Sequence, residues 1–125
     1  MHILLVEDDA LVRRIFCEQL RALGHDVSLA SDGQRAIEKL DGEDASFDLL
    51  MTDIRMPGVP DGWGLAKYAR RRHPDMPVLY ATAYSTQPVQ AVPHSILLKK
   101  PFTATMLASS IAKVCDGAEE GRRPS

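Results

Sequence analysis

The sequence has little with which to cross-link itself, cross a membrane or hold a polyanion. Cys17 and Cys115 are its only cysteines; they lack Cys-x-x-Cys spacing and both fall in helix-like patterns. They read as reduced packing residues, not as a disulfide framework or a thiolate metal site. The apolar start at residues 3–6 stops at Glu7-Asp8-Asp9, so no signal-peptide core is present, and no apolar run approaches membrane-spanning length. A cytoplasmic location with no membrane partner is expected. The formal net charge is -2, which gives no electrostatic case for nucleic acid. Arg70-Arg71-Arg72 reads as a helix end, where cations suit the dipole, and Arg122-Arg123 is too small a cluster to change that expectation. The Gly-x-x-x-x-Gly-Lys-Ser/Thr loop of a nucleotide switch is missing. His2, His25, His73 and His94 are scattered, and none is given a catalytic or metal role.

What is present suits one α/β domain. The chain has 125 residues, 45% hydrophobic and 26% charged, with no internal repeat. Residues 3–6, 49–52, 78–81 and 96–98 are short apolar runs of the kind that form buried parallel strands. Residues 27–30 alternate more and suit an edge strand. Between the runs, Val12, Phe16, Leu20 and Leu23 recur at helical spacing, and Gly24 is a plausible stop. Shorter helices are expected over residues 33–40 and about 62–73, and a last one from an N-cap at Thr103 to Cys115. The domain is therefore expected over residues 1–115, with a disordered polar tail at 116–125.

Alternating strands and helices imply a parallel sheet covered on both faces, with reactive groups outside the carboxyl ends of the strands. Glu7-Asp8 end the first run, Asp53 the third, Thr82 the fourth and Lys99-Lys100 the fifth. Clustered carboxylates are costly: two like charges about 4 Å apart repel by roughly 4 kcal/mol at an effective dielectric near 20. Oxygen ligands without histidine or cysteine favour a hard cation, and two or three carboxylates plus water suit Mg²⁺ better than calcium. A carboxylate can also attack a phosphoryl group. That chemistry needs a metal, a cation and a hydroxyl on the phosphoryl oxygens, and Asp53, the metal, Lys100 and Thr82 can fill the roles.

Five fragments in order carry a family resemblance: Ile3-Leu4-Leu5-Val6-Glu7-Asp8-Asp9, Asp53-Ile54-Arg55-Met56-Pro57-Gly58, Asp61-Gly62, Ala81-Thr82-Ala83 and Lys100-Pro101-Phe102. Together they resemble the response-regulator receiver domains of two-component signalling, over nearly the whole chain to about Cys115. The resemblance implies a flavodoxin-like (βα)5 fold with a doubly wound five-stranded parallel sheet in the order 2-1-3-4-5. It implies phosphoryl transfer to Asp53 from a phosphohistidine on a sensor histidine kinase or a histidine phosphotransfer protein. Glu7 and Asp8 would form the acidic pair, with Asp8, Asp53 and the Arg55 carbonyl on Mg²⁺. Thr82 would contact the phosphoryl group, Lys100 would pair with Asp53 or its phosphate, and the Lys100–Pro101 bond would be cis. Asp9 falls just outside the pair. Such a domain is a switch, with self-phosphorylation and autodephosphorylation as its only chemistry.

The sequence departs from the family pattern in three places. Leu97 stands where receivers usually carry an aromatic whose rotation reports phosphorylation. The stretch Pro77-Val78-Leu79-Tyr80-Ala81-Thr82-Ala83-Tyr84 is similar to a single-domain alphaproteobacterial subgroup that also lacks this aromatic, and Tyr84 is a candidate substitute. The segment between Tyr84 and Pro93 is short and holds two prolines, so a reduced fourth helix is expected. The loop from Met56 to Gly62 is one residue longer than usual, and Trp63 after it is expected to be a partly exposed anchor. With no effector segment in the sequence, output is expected through a protein partner or by phosphate shuttling. Two rivals remain: a haloacid-dehalogenase-type phosphatase, which would want Asp-x-Asp after its first strand, and a receiver-fold binding module that is never phosphorylated, which would be expected to lose one of the residues kept here.

Overall fold

The computed structural model describes residues 1–42, 46–83 and 90–122, with side chains described as far as Asp116. In chain order the elements are β1 (His2–Val6), α1 (Ala10–Ala22), β2 (Asp26–Ala30), α2 (Gly33–Leu40), β3 (Leu49–Thr52), α3 (Gly62–Arg72), β4 (Val78–Thr82), β5 (Ser95–Lys99) and α4 (Ala104–Arg122). All neighbouring strands pair in parallel, and the sheet order is β2-β1-β3-β4-β5. This is the flavodoxin-like order that the resemblance implied. β2 is an edge strand, as its alternation implied.

Strand parity divides the core in two. Leu4, Val6, Leu50, Val78 and Tyr80 face α2 and α3. Ile3, Leu5, Leu49, Met51, Leu79 and Ala81 face α1 and α4. Successive residues on a strand point to opposite faces, so central strands covered on both sides are apolar almost throughout, with Thr52 and Thr82 as buried polar residues at their ends. All four residues of β3 and all five of β4 are buried.

Side-chain caps set the helix starts. Asp9 Oδ1 accepts from Leu11 N–H at 2.9 Å and Val12 N–H at 3.1 Å. Asp32 caps α2 through Arg35 N–H, and Asp61 caps α3 through Gly64 N–H at 2.9 Å. Thr103 Oγ1 accepts from Met106 N–H at the start of α4, as expected. Gly24, with φ +94°, ends α1 in the left-handed region that glycine adopts without a Cβ clash.

Four features differ from the expectation or fall beyond what is described. The backbone of α4 stays helical to Arg122, past Cys115, where a disordered tail was expected to begin. Ala118-Glu119-Glu120 are good helix formers, set against Gly117 and Gly121, which cost about 1 kcal/mol each. Trp63 is 6% exposed, not a partly exposed anchor; it packs against Tyr80 with ring centroids 4.8 Å apart. The described residues hold four helices and none between β4 and β5. Residues 84–89, which include Tyr84 and most of the expected reduced fourth helix, lie outside the described residues.

Candidate functional site

Three backbone hydrogen bonds carry the sheet past its strand ends and assemble one corner. Glu7 N–H donates to Ala30 O at 3.1 Å, Asp53 N–H to Val6 O at 3.0 Å, and Lys100 N–H to Thr82 O at 2.8 Å. Residues just beyond β1, β3 and β5 are thus held in ladder register at the carboxyl edge, the side on which open α/β sheets bind their ligands.

The corner is acidic and partly buried. Glu7, Asp8 and Asp53 each bring an oxygen to within 4.8 Å of the others. Glu7 is 2% exposed, Asp53 is half-buried and Asp8 is exposed. Asp53 Oδ1 accepts from Ile54 N–H at 2.7 Å, while Oδ2 faces Lys100 Nζ at 3.4 Å. Lys100 lies closer to Glu7, at 2.6 Å from Oε1. The Lys100–Pro101 bond is cis. The resemblance implied a Lys100 pairing with Asp53; here Glu7 is the shorter contact. The ammonium also lies 5.4 Å from the centroid of Phe16, which packs on Phe102 at 4.9 Å. Phe16 was legible as a core residue, but nothing in the sequence set it under Lys100.

Burial pushes the Glu7 carboxyl up to about 7; the Lys100 bond opposes this, while Asp8 and Asp53 add to it. Burial works against the Lys100 charge, yet the Glu7 and Asp53 carboxylates outweigh it and raise its pKa. The two shifts differ in their leading cause, burial for Glu7 and, for Lys100, the facing carboxylates that overcome burial. Three carboxylates share a partly desolvated corner with a single ammonium, so negative charge is in excess.

That excess is what a hard cation relieves. An all-oxygen set of two or three carboxylates fits Mg²⁺, which keeps several waters and tolerates few protein ligands. Asp9 lies outside the set, its Oδ1 used by the α1 cap. Arg55, whose carbonyl was the further expected ligand, has an exposed side chain two residues after Asp53. Thr82 ends β4, 2% exposed, with its carbonyl on Lys100 N–H. Leu97, in the place of the usual aromatic, is 38% exposed on β5.

Two supports were not legible in the sequence. Gly62 N–H donates to Ile54 O at 2.8 Å, and a Cβ at Gly62 would stand 2.0 Å from Asp53 O. The start of α3 therefore packs directly on the backbone that carries Asp53. Arg70 donates from Nε to Met76 O at 2.6 Å and from its two Nη atoms to Pro93 O and His94 O. It braces the entrance to β5 and is more than a cation near a helix end. Only the Asp61-Gly62 fragment hinted at the first, and no signal marked the second.

The geometry agrees with the comparisons to known proteins. The sequence profile of the response regulator receiver domain matches residues 3–112. The chain is 35% identical over 116 residues to the response regulator receiver protein CpdR of Brucella abortus, covering 90% of this chain and 94% of that protein. It is 35% identical over 115 residues to the response regulator FleR of Pseudomonas aeruginosa, covering 89% of this chain but only 24% of FleR. A response regulator receiver protein from Sinorhizobium medicae superposes with a TM-score of 0.87 at 35% identity, over 94% of this chain and 96% of the other. The receiver domain of the hybrid histidine kinase CckA gives 0.77 at 33% identity, over 92% and 99%. With a match from β1 into α4 and an acidic corner at the switch point, this chain belongs to the response regulator receiver domain family.

Proposed function

We propose that this receiver domain works as a magnesium-dependent phosphorylatable switch, with Asp53 as phosphoacceptor and the group supplied by a phosphohistidine of a sensor histidine kinase or a histidine phosphotransfer protein. The observation that carries the reading is the meeting of Glu7, Asp8 and Asp53 within 4.8 Å beside the Lys100 ammonium. An Asp53 carboxylate oxygen forms the new O–P bond as the P–N bond to the donor imidazole breaks, and the ring nitrogen keeps the electron pair and takes up a proton. Lys100 holds one phosphoryl oxygen by charge, and Thr82 supplies a hydroxyl to another. Glu7, Asp8, Asp53 and the Arg55 carbonyl are the residues that would hold Mg²⁺. When bound, the ion supplies positive charge for the phosphoryl oxygens. Burial of Asp53 against Ile54 N–H orients the carboxylate for attack.

Output then passes by contact with a protein partner or by onward transfer of the phosphoryl group. The deciding experiment is intact mass after exposure to a small-molecule phosphodonor, with and without Mg²⁺, for the wild type and Asp53→Asn. A single phosphoryl adduct that needs both Mg²⁺ and Asp53 is expected. If none forms, even with candidate kinases as donors, the domain is a binding module and not a switch.

A further inference from the structure

Away from the acidic corner, a cleft of about 420 Å³ opens at the free edge of β2, lined by Arg13 of α1, Leu29, Ala30 and Ser31 of the β2 end, and Arg35, Glu38 and Lys39 of α2. Three of its side chains are cationic and one is anionic, in a chain whose formal net charge is -2. The local sign is opposite to that of the whole molecule.

The backbone adds donors. Asp26 N–H bonds to Met1 O, and Ala30 O accepts from Glu7 N–H, so Asp26, Ser28 and Ala30 turn their peptide groups toward β1. Strand alternation then turns the peptide groups of Val27 and Leu29 outward, on the side where β2 has no neighbouring strand. Leu29 lines the cleft and is 38% exposed, which supplies an apolar patch beside its outward N–H.

The two arginines are anchored but not saturated. Arg13 gives one Nη to Glu7 O at 2.9 Å, and Arg35 gives one to Asp32 Oδ2 at 3.1 Å. A guanidinium has five donors, so each keeps several for a ligand. Anchored guanidinium groups lose less freedom on binding than solvated ones, and they pair bidentately with phosphate oxygens.

We propose that this cleft binds a diphosphate group, with Arg13, Arg35 and Lys39 on its oxygens. A diphosphate carries two to three negative charges, which would meet the positive charge left by three cations after Glu38 and the Asp32 carboxylate shared with Arg35 are counted. The volume lies near the low end for small-molecule sites and admits either free pyrophosphate or a nucleoside diphosphate whose base rests on Leu29.

The test is an amide chemical-shift titration of the full chain with pyrophosphate, a nucleoside diphosphate and the parent nucleoside, all without Mg²⁺ so that the acidic corner does not recruit them. Saturable shifts confined to the turn of α1 around Arg13, to Leu29–Ser31 and to the α2 residues are expected with both diphosphates and not with the nucleoside. Tighter binding of the nucleoside diphosphate assigns a nucleotide; equal affinities assign the free anion, and both support the cleft. Arg13→Gln, Arg35→Gln and Lys39→Gln should each weaken binding by about tenfold, as expected for losing one charge-assisted contact. Shifts that fail to saturate, that spread over Arg71 and Arg72, or that survive the triple variant with its fold intact overturn the proposal. None of these readouts uses phosphorylation, so the result stands apart from that of the Asp53 experiment.

Discussion

The Lys100 ammonium sits 2.6 Å from the Glu7 carboxylate and 3.4 Å from that of Asp53. The residue proposed to bind a phosphoryl oxygen is thus held first by a buried acid just after β1, with Asp53 second. Such an arrangement parks the cation beside Asp53 and limits the like-charge repulsion among the acids.

Replacing Lys100 with alanine should slow phosphorylation by a small-molecule donor about a hundredfold, the scale of losing one charged contact to a developing oxyanion. Mg²⁺ affinity should hold or rise, because a competing cation is gone. Rates by intact mass and a Mg²⁺ titration check both. A loss of metal binding with unchanged rate would reverse the assignment.

The Glu7 carboxyl, pushed up to about 7 from an ordinary 4.5 by burial, predicts an unusual pH dependence without metal. A pKa raised on folding contributes stability that is complete below the unfolded pKa and is lost as pH rises through the folded one. Metal-free protein should therefore lose stability through this group between about pH 4.5 and 8, by at most about 3 kcal/mol. Mg²⁺ binding should strengthen with pH over the same window as the ion displaces the proton. Urea unfolding in chelator at several pH values, wild type against Glu7→Gln, is the measurement. Identical pH profiles would exclude Glu7 as the source.

Gly62→Ala should cost more than about 2 kcal/mol, because its Cβ would stand 2.0 Å from Asp53 O and the obstructing atom is backbone, which cannot swing away. Gly58→Ala makes a control of a different kind: its Cβ would meet nothing within 4 Å, so any cost there comes from its φ of +84°. Denaturant midpoints will rank the two. Only the Gly62 substitution should also slow phosphorylation, since it displaces the Asp53 backbone.

Arg70→Ala should destabilise by about 2 kcal/mol, since three carbonyl oxygens lose a charged donor. Its exposed neighbour Arg71→Ala should stay within about 0.5 kcal/mol. Equal effects would mean that the helix-end charge, and not the brace, is what matters.

Asp9→Ala should lower stability by about 1 kcal/mol through loss of the α1 cap. Mg²⁺ affinity should change by less than about threefold, a purely long-range charge effect. Calorimetric titration with Mg²⁺ would show a far larger loss if Asp9 were a ligand.

Much of this was legible in the chain itself. Burial on both faces writes unbroken apolar runs such as residues 78–81, and burial on one stripe writes the spacing of Val12, Phe16 and Leu20; both signals are local, so they survive in one dimension. Because strands run parallel, the residue ending each run had to lie at one edge, and Glu7, Asp8, Asp53, Thr82 and Lys100 could be named before their distances were known. The sequence by itself determined the order of elements and which chemical groups collect at the carboxyl edge. Tertiary structure decided the pairings: Lys100 on Glu7 in preference to Asp53, Trp63 beneath Tyr80, Arg70 across to Pro93 and His94, Gly62 against the Asp53 backbone, and the cationic cleft at the β2 edge. Each joins residues remote in sequence, or depends on how closely two backbones approach. No local period encodes that; it follows only once the sheet has closed and packing has fixed the distance between its neighbours.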